Sequence, residues 1–167
     1  LKYSYHAPVI SALQTAGCPP TLFNCPSITV YGYHFGLVPG DNVHVLLGGN
    51  SVQNTTKMSD SSIVVSIRPG AGSALAVTVS SSSQFSILTR AFSYDSPIPV
   101  ILSMLNCPPS GSLAVIISGS NFGILNLTPQ VRFGFSGALS SIWASDTIVK
   151  SKVASGLGQN LDVFVSV

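Results

Sequence analysis

Gly32-Tyr33-His34-Phe35-Gly36 and Gly119-Ser120-Asn121-Phe122-Gly123 are one motif written twice, 87 residues apart. Each follows a short β-branched run, Ser27-Ile28-Thr29-Val30-Tyr31 in the first case and Leu113-Ala114-Val115-Ile116-Ile117 in the second. Glycine on both sides of a phenylalanine marks a strand end, because glycine tolerates positive φ and tight turns. The phenylalanine between is expected to plug the edge of a sandwich. Other stretches recur at nearly the same spacing. Cys18-Pro19-Pro20 returns as Cys107-Pro108-Pro109, and Asp60-Ser61-Ser62-Ile63-Val64 returns as Asp146-Thr147-Ile148-Val149. Tyr3-Ser4-Tyr5-His6-Ala7-Pro8 returns as Phe92-Ser93-Tyr94-Asp95-Ser96-Pro97. The 167 residues therefore divide into two units of roughly 85–90 residues each.

The repeat and the chain are out of phase. Residues 1–7 read as the closing strand of a preceding repeat, 8–96 as a first repeat, and 97–167 as a second repeat lacking its last strand. Leu1-Lys2-Tyr3-Ser4-Tyr5 matches Arg90-Ala91-Phe92-Ser93-Tyr94, a strand the first repeat already owns. Two or three inward apolar side chains missing from a sandwich cost roughly 4–9 kcal/mol, at about 1.5–3 each. That is comparable to the whole stability of a small domain. The second repeat is thus expected to need a strand from elsewhere. It would come from adjacent repeats of the same polypeptide or, by head-to-tail strand addition, from a copy of itself.

The remaining signal is β throughout. Asn42-Val43-His44-Val45-Leu46, Ser62–Ile67, Leu75–Val79, Gln130–Phe133, Thr147–Lys150 and Leu161–Val165 are short, roughly alternating and β-branched. Pro39-Gly40-Asp41-Asn42, Gly48-Gly49-Asn50 and Pro69-Gly70-Ala71-Gly72 punctuate them. No 3.6-residue stripe with helix caps appears. The expected fold class is all-β, one sandwich per repeat.

Together the order Pro-x-Ile, an apolar strand closing on Gly-x-x-Phe-Gly, Val-x-Val, a Ser/Asp-x-x-Ile/Val strand, Pro-Gly-x-Gly and Phe-x-Tyr resembles the IPT/TIG domain. The resemblance runs through both copies and implies two tandem immunoglobulin-like, early-set sandwiches. The second copy departs from it with Ala154-Ser155-Gly156-Leu157-Gly158 in place of Pro-Gly-x-Gly and no Phe-x-Tyr strand.

Composition narrows the partners. Only 7% of residues are charged, and the five acids are all aspartates, against roughly 25% charged residues in ordinary soluble domains. Solubility must come from hydroxyls, amides or attached glycans. The net charge of +2 arises from scattered cations, so nucleic acid is not an expected partner. No apolar run approaches the roughly 20 residues of a membrane span, and no direct membrane insertion is expected. No signal peptide is visible, as expected of a chain that begins inside a repeat. Cys18 and Cys25 flank a short Pro-containing loop that suits a local disulfide in an oxidising compartment; the other reading is two buried thiols. Asn54-Thr55-Thr56 and Asn126-Leu127-Thr128 are candidate glycosylation sequons. The Ser80–Ser83 turn is a candidate O-glycan site.

No catalytic constellation is expected. His6, His34 and His44 are the only imidazoles. The second repeat places Asn121 at the His34 position and Arg132 near the His44 position, so neither histidine belongs to the repeated scaffold. The aspartates are dispersed and form no Asp-x-Asp calcium loop. No serine sits in Gly-x-Ser-x-Gly. Gly70-Ala71-Gly72 reads as a hairpin turn rather than a phosphate cradle, since no helix follows. Neither metal nor cofactor is expected, and no enzyme activity. The expectation is a structural repeat at the cell surface or outside the cell, a filament or fibril subunit joined head to tail. The alternative is a ligand-binding ectodomain of an adhesin or receptor. The resemblance also permits an accessory module of a polysaccharide-active enzyme, which the single Trp143 supports little. It permits a Rel-type transcription factor too, against which the absent basic face counts.

Overall fold

The computed structural model describes residues 3–14, 27–37 and 43–167. Cys18, Cys25, Leu1 and Lys2 lie outside these residues, so the expected disulfide and the first two residues of the donor segment do too. The first compact unit holds eight strands: β1 (Val9–Gln14), β2 (Ile28–Tyr33), β3 (Val43–Leu47), β4 (Asn50–Ser51), β5 (Asn54–Ser59), β6 (Ser62–Ser66), β7 (Leu75–Ser81) and β8 (Gln84–Phe92). The second, from Asp95 onward, holds β9 (Ile98–Leu102), β10 (Ala114–Ser120), β11 (Gln130–Phe133), β12 (Ser136–Gly137), β13 (Ser140–Ser145), β14 (Ile148–Lys152) and β15 (Val163–Ser166). No helix occurs among the described residues.

Each unit is a two-sheet antiparallel sandwich. In the first, β1-β2-β6-β5 faces β4-β3-β7-β8. Strand alternation builds the core: Ile28 and Val30 of β2 point in while Tyr31 and Tyr33 point out. Ile63 and Val65 from one sheet meet Val45, Val77 and Val79 from the other. In the second unit β9-β10-β14-β13 repeats the first sheet strand for strand, and β12-β11-β15 repeats the second without a counterpart of β8. Its core is correspondingly small, centred on Ile117, Phe122, Val131 and Val149.

Ladder registers correct two expectations. His44 pairs with Ser80 and Gln130 with Ser166, so Gln130 is the counterpart of His44; Arg132, opposite Phe164, corresponds to Leu46. Gly70-Ala71-Gly72 is not a hairpin turn, because β6 and β7 belong to opposite sheets and the segment crosses between them. The polar runs Asn54–Ser59 and Ser140–Ser145, not read as strands from sequence, form edge strands through their pairing with β6 and β14.

Candidate functional site

The two most repeated sequence motifs meet in space. In the first unit Gly32 N and Phe35 N donate to the carbonyls of Ser61 and Asp60, both at 3.0 Å. Gly36 N donates to Asp60 Oδ1 at 2.9 Å. In the second, Gly119 N and Phe122 N donate to the carbonyls of Thr147 and Asp146, and Gly123 N donates to Asp146 Oδ1 at 2.9 Å. The aspartate thus ties the glycine turn to the neighbouring strand, and this seats a fully buried Phe35 or Phe122. These rings fill the core, deeper than the sandwich edge expected for them. Lys57 and Trp143 occupy matching places, each donating at 3.0 Å to the carbonyl of the second glycine. Trp143 is half-buried against the core, a structural place for the only tryptophan.

The glycines divide their work differently from the simple turn expectation. Gly36 and Gly123 have φ of 99° and 88°. A Cβ on Gly32 would overlap the Val9 carbonyl and the Phe35 ring, and one on Gly119 the Ile98 carbonyl, so these positions serve close approach. The left-handed residues inside the motif are His34 and Asn121, both at φ 63°. Histidine and asparagine tolerate that region better than most side chains, so His34 answers a backbone requirement.

The units differ at the closing strand. In the first, β8 runs along β7 with Val79 opposite Ser86, Val77 opposite Leu88 and Leu75 opposite Phe92. Phe92 is buried and meets Tyr94 edge-on at 5.1 Å and 89°. Tyr94 N donates to Gly72 O at 3.0 Å, and its hydroxyl donates to Arg68 O at 2.6 Å. Ser93 Oγ accepts from Ala74 N at 2.9 Å. Burial raises the Tyr94 phenol above its ordinary pKa. In the second unit Ala154, Gly158, Asn160 and Leu161 stand in the places of Arg68, Gly72, Ala74 and Leu75. Asn160 even repeats the backbone turn of Ala74, at φ 52° against 54°.

Nothing among the described residues fills that place. β15 pairs with β11 alone. Val77 and Ile67 are 0% and 2% exposed, yet their counterparts Val163 and Val153 are only half-buried. Leu161 is 51% exposed. An opening of about 700 Å³ lies here, lined by Leu102, Phe133, Val153, Leu161 and Val163 among others. The match of this lining to the first unit follows only when the repeats are superposed through their ladders. In the first unit the matching place is held by β8, an extended strand along β7.

The other predicted residues are placed as follows. Tyr3, Ser4 and Tyr5 are exposed and join no ladder. Tyr5 O accepts from Gln84 Nε2 at 2.9 Å, and the Tyr3 and Tyr5 rings meet edge-on at 5.3 Å and 84°. Asn54 and Asn126 are both exposed; Asn54 Oδ1 accepts from Thr55 N and Asn126 Oδ1 from Thr128 N, at 2.9 and 3.1 Å. His6 stacks on His34 at 5.1 Å, and Cys107 is exposed and free. Among the described residues no three His, Cys, Asp or Glu side chains group as metal ligands, and no helix could cross a membrane.

Residues 99–167 match the IPT/TIG domain family model. The second unit is thus an IPT/TIG domain, an immunoglobulin-like sandwich, and the first repeats its strand plan. Among solved structures the chain resembles the surface glycan-binding protein PbSGBP-B from Prevotella bryantii, at 14% identity and TM-score 0.56, over 98% of this chain and 40% of that one. It also resembles the full extracellular region of plexin A4, at 21% identity and TM-score 0.42, over 89% of this chain and 13% of that one. A third is SGBP-B from a complex xyloglucan utilization locus in Bacteroides uniformis, at 12% identity and TM-score 0.41, over 96% and 46% of the two chains. The chain spans less than half of each of these structures. The Prevotella likeness bears on the fold alone. No curated protein sequence matches this chain.

Proposed function

We propose that this chain is a non-catalytic, extracellular structural segment, a surface filament or fibril subunit joined head to tail by strand complementation. The repetition of one sandwich plan in both units supports this reading, because tandem copies of one unit are the pattern of a structural array. A donor that adds to a neighbour's edge and leaves its own acceptor free generates an open assembly rather than a ring, unless the rotation closes. The low charge and abundant hydroxyls suit an extracellular surface. Asn54 and Asn126, both exposed, are proposed as N-glycan acceptors. The repeated aspartates and the half-buried Trp143 serve the turn motif, which supports a scaffold role. Electron microscopy of native material should show fibres; isolated particles alone would refute the assembly.

A ligand-binding ectodomain is the second reading, favoured by Tyr31 and Tyr33, which share the outward face of β2 at 40% and 60% exposed. Aromatic anchors of this kind carry interface energy. Loss of binding to cells or surface glycans on replacing both by serine, with fibres unaffected, would favour it.

A further inference from the structure

We propose that His6 and His34 together form a site for a borderline divalent cation, Zn²⁺ or Ni²⁺, on the surface of the first unit. The inference goes beyond the assembly reading, because it uses residues of one unit alone. The two imidazoles are distant in sequence and adjacent in space, with ring centroids 5.1 Å apart and planes inclined by 22°. Both side chains are exposed, so an ion can reach them and water can complete its shell. Imidazole nitrogen is a preferred ligand of Zn²⁺ and Ni²⁺. An ion about 2.0–2.1 Å from one nitrogen of each ring, near the tetrahedral angle, places the centroids about 5 Å apart. The observed separation already matches that value, so chelation needs a turn of the rings rather than a shift of either chain segment.

The sandwich plan does not itself require this pair. Tyr5-His6-Ala7-Pro8 aligns with Tyr94-Asp95-Ser96-Pro97, and His34 with Asn121. In the second unit the same two segments meet without an imidazole: Asn121 Nδ2 donates to Ser96 O at 3.2 Å. The left-handed backbone is served equally by His34 and Asn121, both at φ 63°, and it leaves His6 unexplained. Both segments are held in place by bonds of their own. Phe35 N and Gly36 N donate to the carbonyl and carboxylate of Asp60, at 3.0 and 2.9 Å. On the other side Ile10 N donates to Ser86 Oγ at 3.2 Å, and Val9 pairs with Tyr33 beside His34. Ligands carried on such anchored segments lose little freedom when an ion binds.

The test titrates Zn²⁺ alone into the isotope-labelled full chain at neutral pH and follows the imidazole signals by NMR. Saturable shifts of His6 and His34 are expected, with His44, on β3 opposite Ser80, unmoved. Paramagnetic Ni²⁺ should broaden the same two rings first. Mg²⁺ should leave all three unmoved, because it takes oxygen ligands. His34→Asn keeps the left-handed turn that Asn121 adopts and should weaken Zn²⁺ binding at least about tenfold, since even a residue behind a metal ligand carries that much. His6→Asn, at an exposed position, should weaken it as much. Absence of saturable shifts, a shift of only one of the two rings, or binding that survives both substitutions would overturn the site. So would a response of His44 equal to that of the pair.

Discussion

Asp146 is the residue through which the second unit's two repeated motifs hold each other. Its carboxylate accepts from Gly123 N and its carbonyl from Phe122 N, so Asp146→Ala leaves a buried amide without its acceptor. A loss of about 1–3 kcal/mol is expected, read as a lower midpoint in denaturant unfolding; Asp60→Ala should match it in the first unit. Gly119→Ala should be worse, about 3–4 kcal/mol, because the new methyl meets the Ile98 backbone and neither can move away cheaply. At Asn121 the requirement is left-handed backbone. Asn121→Val should cost about 1–2 kcal/mol, whereas Asn121→Gly should be close to neutral. A melting series over these five variants would expose any error in these assignments.

Among the elements, closing strand β8 and its Tyr94 are the most sensitive to conditions. Tyr94→Phe removes a hydroxyl donating to Arg68 O at 2.6 Å and should destabilise the first unit by about 1 kcal/mol near neutral pH. Burial raises the folded-state pKa of Tyr94, so its neutral form stabilises the fold. That contribution is complete below the unfolded phenol's pKa of about 10 and is lost as pH rises through the higher folded value. The first unit's melting temperature should therefore drop above about pH 10, less steeply in Tyr94→Phe. Elements with inward alternation, such as Ile28–Tyr33, Leu75–Ser81 and Gln130–Phe133, were legible in sequence because two-residue periodicity reports a buried face. Edge strands β5 and β13 were not, since runs like Asn54-Thr55-Thr56-Lys57 carry no such stripe and become strands by pairing. The crossing at Gly70-Ala71-Gly72 misled for a related reason: turn chemistry marks a reversal without saying which sheet the chain enters next. The site itself was half legible. Self-similarity exposed the repeated strand plan, but Gly158, Asn160 and Leu161 acquire meaning only from the bonds that Tyr94 and Ser93 make in the other unit.

Over the whole molecule, two copies of one sandwich plan end in different states. Among the described residues the first is closed by its own aromatic–Ser–Tyr strand, and the second carries a smaller core. Under the head-to-tail assembly proposed above, the second unit should gain stability with protein concentration, as mass action requires of a site filled by association. Tyr3→Ala with Tyr5→Ala should remove that gain. Residue-resolved hydrogen exchange of Val163–Ser166 reads the event at the edge itself. The outward-facing amides of β15 should exchange freely at low concentration and become protected as concentration rises, and should stay unprotected in the double variant. Protection at every concentration, or exchange that neither concentration nor the two tyrosines alter, would contradict strand complementation between copies.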